Sequence, residues 1–338
     1  MYASVTTEPA WWGVENLIVH NRAFHSDLAQ IDPVHLNDSI ALFPTVGHEQ
    51  LLGLFRWMSS FPTGSLPKVA ACLMAPKNWS GTNDILRMYK LIWDRCSPAV
   101  KDRVALFSRT SQIATMFNEQ VGLPSAVFPL VIPEHQKRLL SAPAVSGSDA
   151  MTISYLGGSR REKGAHLIAD AVTRCANLNV KFLIQAQAGS HDGFDIQTLT
   201  KLNGLPNVDV REGTLSQVEY YDAMCGSVAL VPYSPCTYRW DDSSVYHEAK
   251  LMDVPVLVTE GTWMADEVRS AGNGLVINEF TAAAVADCIA RAQQELATLR
   301  ANAVRVGQAF RQAQGVARCL AAVEDAIKSR EVAARRKP

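Results

Sequence analysis

Short apolar runs rich in β-branched residues recur in the second half of the chain, at 151–156, 180–187, 208–211, 228–232 and 254–259. Between them lie stretches of helical period, at 164–175, 216–225, 244–252 and 263–271. Continuous apolar strands alternating with helices predict a parallel sheet covered on both faces, because crossover helices bury both sides of each strand. The first half repeats the pattern less regularly, with strands predicted at 39–43, 68–74, 103–107 and 126–129 and helices at 48–58, 83–96 and 111–120. The stretch SAPAVSGSD, 141–149, is small and polar with one proline, a composition suited to a linker. From 281 onward the pattern is helical to about residue 328, and a basic tail, REVAARRKP, follows. The expected fold class is α/β, with two Rossmann-like domains at 1–140 and 150–280 and C-terminal helices with the tail at 281–338. The first forty residues show neither the strand nor the glycine-rich turn that normally opens such a domain. The N-terminal domain is therefore expected to be shortened at its beginning.

A length of 338 residues suits about two domains at roughly 150 residues each. Lysine and arginine number 32 against 33 aspartates and glutamates, and that balance argues against a nucleic-acid binder. No apolar run approaches the roughly 18 residues that span a bilayer, and the start lacks a signal-peptide layout. Seven scattered cysteines form no C-x-x-C pair, so neither a disulfide framework nor a zinc site is suggested. A reduced, cytoplasmic setting is the expectation.

Two segments carry candidate chemistry. In ISYLGGSRREKGAHLIADAV, 153–172, a strand ends, Gly157 and Gly158 permit a tight turn, and Gly164 opens a helix. Glycines let backbone approach a ligand, and a helix N-terminus favours phosphate. Arg160, Arg161 and Lys163 add cations to the same loop. The spacing is not G-x-G-x-x-G, so a dinucleotide fingerprint is not supported. In VALVPYSPCTYRWDDSSVYHEAKLMDVPVLVTEGTW, 228–263, a strand leads through a polar loop to a helix starting near Ser243. Ser243 and Ser244 could offer hydroxyl and N–H groups to a phosphate. Glu248, one turn further on, could accept hydrogen bonds from ribose hydroxyls.

Together these segments resemble the nucleotide-sugar-dependent glycosyltransferases of the GT-B fold, family-4 type. The pattern there is G-[RG]-x(3)-E-K-G, then a P-[SY] loop, E-A and G-x-P-V, against YLGGSRREKG, VPY and HEAKLMDVPV here. The resemblance covers about residues 150–280. It implies that Lys163 binds the donor diphosphate and that Glu248, second of the family's paired glutamates, holds the nucleotide ribose. The arginine usual in the first loop is replaced by Gly158, so Arg160 or Arg161 would supply its charge. The first paired glutamate falls on Trp240, followed by Asp241, Asp242, Ser243 and Ser244 where the family has glycines. Base recognition would run through backbone near Glu212 to Leu215. The resemblance also implies a closing cleft between the two domains, retention of anomeric configuration, and a last helix that returns to the N-terminal domain.

His48, in TVGHEQLLG, follows a strand end and starts a helix, where it could orient an acceptor hydroxyl or the sugar. Lys77, Asn78 and Trp79 hold a comparable position after the next strand. His20 and His25 lack a metal-ligand companion, His247 beside Glu248 does not make H-E-x-x-H, and no aspartates stand as D-x-D, so no metal is expected. No G-x-S-x-G elbow points to a hydrolase. The expected activity is sugar transfer from a nucleotide sugar, a substrate rather than a cofactor, to a glycan or glycolipid in polysaccharide or glycoconjugate synthesis. A catalytically weak nucleotide- or partner-binding protein and a sugar-nucleotide epimerase remain as alternatives. The tail from Arg330 to Lys337 could meet anionic lipid at a membrane's inner face.

Overall fold

The computed structural model describes residues 14–36, 39–75, 82–131, 150–186 and 193–335. The expected linker 141–149 and the trio Lys77, Asn78 and Trp79 lie outside the described residues. The chain divides into two compact units, Met1–Val131 with Val316–Pro338, and Ile132–Gly315.

The first unit has strands β1 (Ile40–Val46), β2 (Lys68–Leu73), β3 (Val104–Ser108) and β4 (Ser125–Val127), parallel and in sequential order. Its helices are α1 (Val14–Leu28), α2 (His48–Ser59), α3 (Thr82–Arg95), α4 (Pro98–Lys101) and α5 (Ser111–Met116). Right-handed crossovers between strands in sequential order place their helices on one face of the sheet. The other face needs cover from elsewhere, and the last helix of the chain, Val316–Arg335, supplies it. Alternate residues Ala70, Cys72, Ala105 and Phe107 pack against Cys319, Val323 and Ile327, spaced one helical turn apart.

The basic tail begins within that helix, and its first charges are engaged at home. Arg330 donates to the Pro124 carbonyl at 3.2 Å, and Glu331 pairs with Lys68 at 3.2 Å and Arg103 at 2.8 Å. Where the sequence showed no opening strand, the structure has α1, held to α2 partly by a polar contact. The Asn21 side chain accepts from the Gly53 N–H at 2.7 Å. Strand β1 runs past Pro44, where the predicted strand stops, because an edge strand tolerates a missing donor; its register shifts there.

Among its described residues the second unit has six parallel strands, β5 (Met151–Tyr155), β6 (Val180–Ala186), β7 (Val208–Glu212), β8 (Val228–Val231), β9 (Val256–Thr259) and β10 (Gly274–Ile277). Their order is β10-β9-β8-β5-β6-β7. Helices α6 (Ala165–Arg174), α7 (Ile196–Asn203), α8 (Gln217–Met224), α9 (Pro235–Tyr238), α10 (Ser244–Leu251), α11 (Trp263–Ala271) and α12 (Ala282–Ala313) connect and cover them. Alternation along each strand feeds two cores. Val228, Leu230 and Leu257 pack in one, and Ala229, Val231, Val256 and Val258 in the other. Neither β10 nor α7 was predicted, since GLVI is too short to stand out among apolar runs and IQTLTKLN is mostly polar.

The sheet grows outward from β5 through β6 to β7, then returns to β8 on the other side of β5 and grows through β9 to β10. The strand order reverses between β5 and β8. Loops leaving the carboxyl ends of these two strands diverge, and in open α/β sheets such a point is where ligands bind. The helical run after 281 splits between the units. Helix α12 stays with the second, where Arg311 clamps Asp253 through two hydrogen bonds of 2.7 and 3.1 Å and also reaches the Leu251 carbonyl. The chain then turns at Gly315, with φ 112°, into the last helix.

Candidate functional site

Both sequence-selected segments leave the sheet at this switch point. After β5, Gly157 adopts φ 93°, a left-handed region open to glycine at little cost. Its N–H donates to Gln185 Oε1 at 2.9 Å, while the Ser159 hydroxyl donates to the Gln185 carbonyl at 3.0 Å. Gln185 Nε2 donates in turn to the Gly213 carbonyl at 3.1 Å. This buried amide therefore ties the loop after β5 to the loop after β7. Gly213 N–H is taken by the Ala186 carbonyl at 2.8 Å.

A single 3-10 turn, Arg161–Lys163, then leads to Gly164 at φ 81° and into α6. A Cβ at Gly164 would run into the Pro232 carbonyl at the end of β8, so glycine allows the two loops to touch. The contact is reinforced where the Ser234 N–H donates to the Glu162 carbonyl at 2.8 Å. Arg160 and Arg161 are exposed, and Arg160 pairs with Glu162 at 2.8 Å. Gly158 is half-buried.

Lys163 is half-buried, its ammonium 5.5 Å above the centre of the Tyr233 ring. A Cβ built on Gly157 would stand 3.7 Å from that ammonium, so the lysine lies over the glycine turn. Burial above all, then Arg160, pushes Lys163 below the ordinary lysine range, while Glu162, Asp241 and Glu248 pull it back. Glu248, from the first turns of α10, thus lies within electrostatic reach of Lys163. Burial raises the Glu248 carboxyl, opposed by a hydrogen bond from Tyr220, by His247 and by Lys163.

The start of α10 is closely organised. Ser243 is its N-cap, its buried hydroxyl oxygen accepting from the Tyr246 N–H at 3.3 Å, and Ser244 is exposed. Asp242 Oδ1 accepts from the Ser243 N–H at 2.9 Å and from His247 Nε2 at 2.7 Å. The His247 ring stacks on Phe310 at 5.8 Å and 5°, and its Nδ1 is buried without a partner among the described residues. Trp263 Nε1 donates to the Asp241 carbonyl at 2.8 Å. Both aspartates that stand in place of family glycines therefore lie in a braced loop. Trp240, beside them, carries the Arg239 guanidinium 5.2 Å over its ring.

Sequence reasoning did not find Gln185, Tyr220 or His247 as site residues. Gln185 had a usable signal, a polar residue at the carboxyl end of a buried strand. Tyr220 had none, because its partner Glu248 stands 28 positions away and is brought to it by the fold, whereas His247 meets Asp242 locally, five positions back at the start of α10.

In the first unit, His48 is the first residue of α2, directly after β1. Its Nδ1 pairs with Glu49 at 3.0 Å and its ring meets Tyr89 edge-on at 6.0 Å. Burial lowers its basicity, and Glu49 partly restores it.

No protein-family profile matches the chain. Over 144 residues the chain is 25% identical to the capsular polysaccharide biosynthesis glycosyltransferase CapM of Staphylococcus aureus. That stretch is 42% of this chain and 36% of CapM, so the match spans about a third of the relative's length. Among solved structures, a glycosyltransferase from Rickettsia africae aligns over 96% of this chain and 84% of its own, with TM-score 0.68 and 9% identity. Anabaena HepE, solved with UDP and glucose, aligns over 95% and 84% with TM-score 0.62 and 12% identity. Sucrose-phosphate synthase from Thermosynechococcus elongatus aligns over 91% and 77% with TM-score 0.59 and 18% identity. With two parallel α/β units, a switch point between β5 and β8 and a final helix that rejoins the first unit, this chain has the GT-B fold found in glycosyltransferases.

Proposed function

We propose that the chain is a glycosyltransferase that takes a sugar from a nucleotide-sugar donor and adds it to a glycan or lipid-linked acceptor. One observation carries this reading. The loops after β5 and β8, which fall at the strand-order reversal, touch at Gly164 and Pro232, and Lys163 of the first lies within electrostatic reach of Glu248 on the helix after the second. The CapM match and the nucleotide in HepE support the same donor class.

In this reading Lys163 and Arg160 meet the diphosphate, with Arg161 adding charge at the rim. Gly157 and Gly158 let the phosphates approach the backbone, and the N-termini of α6 and α10, at Gly164 and at Ser243 and Ser244, add dipole. Glu248 accepts from the ribose hydroxyls, and the base lies by the loop around Glu212 to Leu215. The bond from the anomeric carbon to the diphosphate oxygen breaks as the acceptor oxygen bonds to that carbon. Negative charge grows on the leaving phosphate, so these cations stabilise the transition state without a metal. A leaving phosphate oxygen can take the acceptor's proton on the same face of the sugar, giving retention without an enzymic base. His48, on the acceptor unit, would orient an acceptor hydroxyl. Synthesis of a surface polysaccharide or glycolipid fits this chemistry. A lipid-linked acceptor would bring a cytoplasmic enzyme to the inner face of a membrane, where the basic residues ending the chain meet anionic headgroups.

Among the described residues no helix is long and apolar enough to cross a membrane. Trp240, in the position of the family's first paired glutamate, favours a second reading in which nucleotide binds without transfer. Incubation with a panel of radiolabelled nucleotide sugars separates these. Transfer or slow hydrolysis is expected; binding without turnover supports the second reading, and an altered sugar on intact nucleotide would make the protein an epimerase.

A further inference from the structure

Glu248 has a partner that neither motif contains. The Tyr220 hydroxyl, from α8, donates to Glu248 Oε2 at 2.7 Å. The two residues are 28 positions apart and meet only because α8 and α10 flank the same strand, β8. Tyr220 is itself half-buried, with its ring against Tyr221 at 5.8 Å, edge-on.

We propose that Tyr220 is a positioning residue for the nucleotide, its hydroxyl fixing the Glu248 carboxylate so that Oε1 is left to accept the ribose hydroxyls. The inference rests on the donor-site reading above and adds to it a residue outside the two motifs. A carboxylate offers about four lone-pair sites, so one bond from Tyr220 leaves enough for a diol. It also anchors a side chain that otherwise has three rotatable bonds to fix when ligand arrives. The charge matters as well as the aim. A half-buried carboxyl tends to keep its proton, and a protonated acid is a poorer acceptor for two hydroxyls. The groups around Glu248 are Tyr220 and Tyr221 from α8, His247 from its own helix and Lys163 from the loop after β5. Tyr220, His247 and Lys163 all favour the ionised form, whereas burial opposes it. Tyr220 remains an O–H donor at ordinary pH because burial and the adjacent Glu248 charge raise its own ionisation far above that range.

Nucleotide binding needs ionised Glu248, so affinity falls as pH drops through the Glu248 titration. Removing the Tyr220 hydroxyl raises that titration, and the loss begins at higher pH. Losing one net hydrogen bond to a charged group moves its titration midpoint by about one pH unit. The test is calorimetric titration between about pH 4.5 and 8 with whichever of UDP, GDP and ADP binds wild type tightest. It compares wild type, Tyr220→Phe, Glu248→Gln and the double variant. Tyr220→Phe keeps the ring and its packing, and a thermal melt checks that the fold survives. The expected result is an acid limb about one pH unit higher in Tyr220→Phe, with no such movement when Glu248→Gln is already present. An unmoved limb, or a movement that persists in the Glu248→Gln background, overturns the positioning role alone. Absence of binding by wild type to all three nucleotides overturns the donor-site reading and this inference with it.

Discussion

Gln185 offers a measurement of how the loop after β5 is held, since one buried side chain joins the turns that follow β5 and β7. Gln185→Met preserves an unbranched side chain of similar length and removes both polar ends. Gly157 N–H then loses its 2.9 Å acceptor and the Gly213 carbonyl its 3.1 Å donor, while the backbone bond from Ser159 is untouched. A buried polar group left unpaired costs about 1–3 kcal/mol. Both glycines are half-buried, so water reaches them in part and the low end applies, about 1 kcal/mol each. A loss of about 2 kcal/mol in a unit of this size lowers Tm by roughly 4–8 °C. If the loop must be reordered when nucleotide binds, the same energy weakens affinity by about thirtyfold. Differential scanning calorimetry and nucleotide titration read the two effects separately. A variant that melts within about 1 °C of wild type and binds nucleotide equally well would refute the idea that Gln185 sets the geometry of the Gly157 turn.

Lys163→Ala is expected to lose nucleotide affinity while the fold persists, and about 3 kcal/mol of transition-state stabilisation goes with it. Because Lys163 is held below the ordinary lysine range, wild-type affinity should decline on the alkaline side before a free lysine would titrate, and the variant should lack that limb. Unchanged affinity by calorimetry would remove Lys163 from the site. Gly164→Ala forces a Cβ onto a φ of 81° and against the Pro232 carbonyl, costing at least about 1–2 kcal/mol from the backbone conformation alone. Equal stability in urea unfolding would show that the two loops do not depend on their close approach.

The sequence alone determined the α/β class, nine of the ten strands found among the described residues and the residues of both motifs, because each rests on a local signal. Strand runs, helical period, glycine turns and cation placement are all written in neighbouring residues. Where the signal is short or polar, legibility failed. GLVI escaped notice as β10, and α1 is anchored partly by an Asn21 contact that no hydrophobic pattern shows. The tertiary structure decided what depends on residues far apart in the chain. Strand order put the reversal between β5 and β8 and so brought the loops of the two motifs side by side. It set Tyr220 on Glu248 and Gln185 under Gly157, neither of which sequence spacing reveals. It also turned the start of an apparent basic tail into a helix whose Arg330 and Glu331 are engaged within the first unit. Hydrogen bonds and ion pairs act over about 3 Å of space whatever the separation along the chain, so only the folded chain says which of them form.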